Sequence, residues 1–195
     1  MSKNHPRWGS LLYHADYDFI SFGVLFSNFL IVEAFYHSTQ AIEKYLKVLA
    51  LTIYDPDEKR TEDEWKKFLK GFGHYLERLG KYCSNQYPFY KQKDLTNNLK
   101  RFSEFDQATR YPWVERNLGN GFSGSDAGIV FELVKQLRND IPIQTDDYPL
   151  GILLRGYHHH DIQRKFLKGL ITLNTRKAAL KLTEIFPNVY DLIRK

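Results

Sequence analysis

The clearest pattern in the chain lies between residues 31 and 54, where apolar positions recur on one helical face. Phe35, Ile42, Leu46, Leu49 and Ile53 form the stripe, and Ala41, Tyr45 and Val48 widen it. Gln40, Glu43, Lys44 and Lys47 fall on the other side, which predicts a bundle helix with a wet face. Glu43 precedes Lys47 by four residues, the favourable order for a surface ion pair. A helix is expected before it, over residues 16–30, either separate or running on with a kink. Asp55-Pro56 ends the second helix.

Thr61 and Glu64 then read as a capping box. Trp65, Phe68, Leu69, Phe72, Leu76 and Leu79 follow at helical spacing, predicting a third helix over about 62–83 that Gly71 and Gly73 weaken. Asp94 caps a fourth, carrying Leu95, Leu99, Phe102 and Phe105 and ending near Arg110-Tyr111-Pro112. A glycine-rich turn over 119–124 leads to a fifth, from Asp126 to Ile141-Pro142, with Ile129, Val130, Leu133, Val134 and Leu137 on its apolar face. Residues 142–157 read as a connection with a short extended piece at 152–154. Helical signal returns over 159–170 and 176–193, bent by Pro187. No run of alternating strands is present, so the expected class is an all-α, antiparallel four- to five-helix bundle with additional C-terminal helices. The expected division is a bundle over 1–145 and a helical extension over 146–195, together forming one compact domain.

Composition narrows the setting. The 195 residues are 43% hydrophobic and 26% charged, as in a globular protein. A single cysteine, Cys83, excludes an internal disulfide framework and a cysteine-based zinc site, and it fits a reducing, cytoplasmic compartment. The apolar stretch 19–36 is interrupted by Ser21, Ser27, Asn28 and Glu33, so two buried helices are expected there rather than a membrane span. The net charge of +5 is uneven: residues 151–195 hold nine Lys/Arg against three Asp/Glu. That basic segment is either the footprint of a polyanion or a solvated helix face.

Four pieces of the pattern resemble the HEPN family (higher eukaryotes and prokaryotes nucleotide-binding domain). They are His37-x-x-Gln40-Ala41-x-Glu43-x-x-Leu46-Lys47, the run Gly73-His74-Tyr75-Leu76-Glu77-Arg78-Leu79, Arg110-Tyr111-Pro112, and Leu137-Arg138-Asn139. They cover about 15–141 in the family's order. The resemblance implies a helical bundle that dimerises and binds RNA or a nucleotide, in bacterial stress or defence, with an antitoxin-type protein as a possible partner. Its enzymes are metal-independent endoribonucleases in which an Arg and a His, four to six positions apart, meet across a dimer. There the His moves the ribose O2′ proton and the Arg neutralises the developing phosphorane.

The chain departs from that pattern. Arg138-Asn139 stands where the Arg-polar pair belongs, yet no His follows within six residues and Pro142 disturbs the helix. A second Arg…His spacing, Arg155 and His160, lies in the tail beside His158 and His159. The catalytic candidates are therefore Arg138, Asn139, Arg155 and His160; the ligand-binding candidates are Lys47, His74, Arg78 and Arg110. No cofactor motif is read. Gly119 to Gly124 fits GxGxxG, but no strand precedes it, so it is taken as a turn. The run His158-His159-His160-Asp161 is taken as a helix start with exposed imidazoles. A metal there would need distant help from His5, His14, His37 or His74, so no metal site is expected. Three functions remain open: a binder of RNA or a nucleotide, a dimeric metal-independent endoribonuclease, and a non-catalytic module whose basic tail docks an acidic protein.

Overall fold

The computed structural model describes residues 6–28, 30–110, 124–142 and 148–149. Arg155, His160, the histidine run, the basic extension and most of the 119–124 turn lie outside them. Among the described residues the chain is all helical: α1 (Gly9–Ser27), α2 (Ile31–Tyr54), α3 (Glu62–Lys70), α4 (Leu76–Cys83), α5 (Lys93–Arg110) and α6 (Gly124–Asp140), with a 3-10 turn at Pro88–Lys91. No described helix is long and apolar enough to cross a membrane.

Helix α2 is the hub, packing against α1, α4, α5 and α6. Its stripe is buried, with Phe35, Ile42, Tyr45, Leu46, Val48 and Leu49 in the core and Ile53 partly buried at its end. Helix α1 folds back along it. Phe22 and Phe26 meet Phe35, while Asp16 near the other end meets Tyr45, the pairing of an antiparallel hairpin. Phe131 of α6 closes the aromatic cluster against Phe19 and Phe22. Helices α4 and α5 also run antiparallel. The Leu76 N–H donates to Ser103 Oγ at 2.8 Å, and Gly80 approaches Leu99 so closely that a Cβ there would lie 2.6 Å from Leu99 Cδ1.

The capping box forms as expected: Thr61 Oγ1 accepts from Glu64 N at 3.3 Å, and Glu64 Oε2 accepts from Thr61 N at 2.8 Å. The loop before it is organised by Asp55, whose carboxylate accepts from Lys59 N, Arg60 N and Trp65 Nε1 at 2.9, 3.0 and 2.8 Å. Two expectations need correction, and one element is additional. The first helix begins at Gly9, not near residue 16, because Trp8, Leu12 and Ala15 belong to the core. The helix expected over 62–83 is two helices: Gly73 takes a left-handed φ of +59°, open to glycine without strain, and α4 restarts at Leu76. The 3-10 turn at Pro88–Lys91, which buries Tyr90, has no counterpart in the periodicity.

The deepest polar contact joins helices far apart in sequence. Tyr45 OH and Arg138 Nη1 both donate to Asp16 Oδ1, and the Arg138 and Asp16 side chains are 3% and 0% exposed. Burial works against the charge on Arg138, but the Asp16 carboxylate holds its pKa above the ordinary value. Burial, then the charge of Asp16, pushes the Tyr45 phenol well up. Removing one partner of such a pair leaves a buried charge uncompensated. Arg138→Met alone is therefore expected to cost about 3–5 kcal/mol in urea unfolding, and Asp16→Asn with Arg138→Met less than the sum of the single changes. Single-variant losses of well under 1 kcal/mol would contradict the structural role.

Candidate functional site

The polar positions of α2 separate into two sets. His37 and Lys44 face α1, where His37 Nδ1 lies 3.0 Å from Asp18 Oδ1 and Lys44 Nζ donates to Asp18 Oδ2 at 2.5 Å. Gln40, Glu43 and Lys47, spaced three and four apart on another face, turn toward α5 and the turn between α3 and α4. The expected wet face is thus covered in part: Glu43 is 5% exposed, because the 71–75 turn and α5 pack over it.

This second set is the candidate site. Lys47 Nζ donates to Glu43 Oε1 at 2.5 Å. His74 Nδ1 lies 3.1 and 3.0 Å from Glu43 Oε1 and Oε2. Gln40 Nε2 donates to Asp106 Oδ1 at 2.6 Å, and Thr39 Oγ1 lies 3.4 Å from the same oxygen. Glu43, His74 and Asp106 bring one nitrogen and two carboxylate oxygens within 4.8 Å of one another. The His74 side chain is 52% exposed, so the cluster opens to solvent at the imidazole while its carboxylates sit beneath. The helix break makes this possible. Gly73, at its left-handed φ, interrupts the helix and leaves His74 in a turn rather than on the helix expected there.

The electrostatics follow from these contacts. Burial alone would raise the Glu43 pKa; the charge and hydrogen bond of Lys47, and then His74, overcome it and hold the carboxyl below its usual range. Asp18 behaves alike, with burial opposed by His37 and Lys44. Cys83 is pushed up to about 12 by burial, and its Sγ faces Leu46 O at 3.8 Å, so the thiol stays protonated and is no nucleophile.

Of the ligand-binding candidates, Lys47 and His74 meet at Glu43. Arg78, one turn into α4, lies with its guanidinium carbon 4.2 Å above the ring of exposed Tyr75. Arg110 is the last residue of α5, and its side chain lies outside the described set. Of the catalytic candidates, Arg138 points into the core against Asp16 and Asn139 is exposed beside it. Periodicity missed Asp106 and Tyr75 and left Glu43 on the wet face. The sign available was Gln40 and Glu43 standing at i and i+3, which aims both at one neighbour. Comparison with known proteins adds no relative: no family model, curated protein or solved structure matches the chain.

A carboxyl whose folded pKa lies below its unfolded value contributes stability that is full above the unfolded value and fades as pH falls through the folded one. Glu43 and Asp18 therefore predict that unfolding free energy is level near neutrality and declines below about pH 4. Glu43→Gln should flatten part of that decline in denaturant titrations from pH 7 to about pH 3. An unchanged slope would exclude Glu43 as a contributor.

Proposed function

We propose that this chain is a HEPN-like helical protein that binds RNA or a nucleotide. One observation supports this above others: the motif positions Gln40, Glu43 and Lys47 gather with His74, the centre of the second motif, into one half-open polar cluster. Separate pieces of the resemblance thus meet in space. The all-helical architecture of the described residues is compatible with the same family.

The chemistry of the cluster suits a phosphate at its rim. Glu43 fixes the positions of Lys47 and His74, which present an ammonium and an imidazole. Tyr75, next in the chain to His74, is exposed and carries Arg78 against its ring, a platform on which a base can stack. Because Arg138 of α6 is engaged by Asp16, binding through that residue is not part of this function.

Fluorescence anisotropy with a labelled single-stranded RNA and with a labelled nucleotide tests the proposal. Saturable binding at low salt is expected, weakening as salt rises because counterions compete for the phosphates. Lys47→Ala and Arg78→Ala should each weaken it several-fold, and Tyr75→Ala should weaken RNA binding by about tenfold if one base stacks there. Absence of affinity for either ligand at low salt would overturn the proposal in favour of a protein-interaction module. Cleavage of total RNA that persists in EDTA, lost in His160→Ala, would replace it with the endoribonuclease.

A further inference from the structure

The same cluster also holds a donor set suited to a cation, one that shares Glu43 and His74 with the polar contacts described above. We infer that Glu43, His74 and Asp106 form a binding site for a divalent first-row transition cation of the Zn2+ or Mn2+ type. The sequence gives no hint of it, because the three residues come from α2, the 71–75 turn and α5 and share no motif spacing.

Geometry carries the inference. Ligand atoms bound to one such ion at about 2.0–2.2 Å lie up to about 4 Å apart, and the three donor atoms already lie within 4.8 Å of one another. Small side-chain rotations close the remaining distance. One imidazole with two carboxylates is a mixed nitrogen and oxygen set, which favours zinc or manganese over magnesium, an ion that prefers oxygen and retains its waters.

The ligands are themselves held. Gln40 engages Asp106 Oδ1 at 2.6 Å and Lys47 engages Glu43 Oε1 at 2.5 Å, so both carboxylates are oriented by donors from α2. Outer hydrogen bonds of this sort fix ligand direction in metal sites. Glu43 and Asp106 are buried, whereas the half-exposed His74 provides the way in. On binding, one imidazole nitrogen of His74 turns its lone pair to the ion, and any proton it carried passes to solvent. Three protein ligands leave coordination positions open, and these suit phosphate oxygens. That last point rests on the function proposed above; ion binding does not.

Isothermal titration of the EDTA-treated full chain with ZnCl2 and with MnCl2, without RNA or nucleotide, is the test. One equivalent at micromolar affinity is expected. His74→Ala and Asp106→Asn should each weaken it at least about tenfold, while joint replacement of His158, His159 and His160 by Ala leaves it unchanged. Should Asp106→Asn fail to fold by circular dichroism, His74→Ala decides, since that side chain is half exposed. No saturable binding of either ion would overturn the inference, and so would binding that survives His74→Ala but disappears with the tail histidines. Failure of RNA binding alongside intact ion binding would remove the proposed function and leave the metal site standing.

Discussion

The carboxylate of Asp16 joins three helices through one oxygen, accepting from Tyr45 of α2 and Arg138 of α6. Such a contact has little tolerance for rotation. A carboxylate and a guanidinium without water must find each other or lose their solvation uncompensated. The contact therefore sets α2 at one angle about its own axis against α1 and α6. With Tyr45 turned toward Asp16, Gln40, Glu43 and Lys47 fall toward α5 and the 71–75 turn. The orientation of the candidate site is thus a consequence of the buried ion pair on another side of the same helix.

That division explains why α2 carries so many polar residues without being a surface helix. His37 and Lys44 are engaged by Asp18, the Tyr45 hydroxyl by Asp16, and Glu43 by Lys47 and His74. These groups find charged or hydrogen-bonding partners on a neighbouring helix or turn, while buried Ser38 and Thr39 donate to the Phe35 and Tyr36 carbonyls of α2 itself, so each is paired as burial requires. His74 and the exposed pair of Tyr75 with Arg78 remain on the solvent side of this arrangement, with Lys47, 19% exposed, at its edge.

Local rules made much of the bundle legible. The end of α2 at Asp55-Pro56, the Thr61–Glu64 box and the Glu43–Lys47 pair are decided within a few residues of chain, and the structure has all three. The break at Gly73 was visible as two glycines but was outweighed by the spacing of Phe72, Leu76 and Leu79. The spacing persists across the break because all three still pack on the core, from two different elements. Arg138 shows the complementary limit. Its residue type and place in a motif fit phosphate recognition, but its partner is Asp16, 122 residues away, and no local pattern reports that distance. Asp106 is the same case for the candidate site: nothing in α5 distinguishes it until Gln40 is seen against it.

Under the proposed function, ligand recognition resides where α2, the 71–75 turn and α5 meet, while Arg138 is a structural tie to Asp16. The most direct measurement is nitrogen-15 NMR of the full chain titrated with a short single-stranded RNA and with a nucleotide. It would observe the His74 imidazole, the Gln40 side-chain amide and the Arg138 Nε–H. Perturbation of His74 and Gln40 with Arg138 unmoved is the predicted result. Perturbation of Arg138 without His74 or Gln40 would place recognition on α6 and contradict the account.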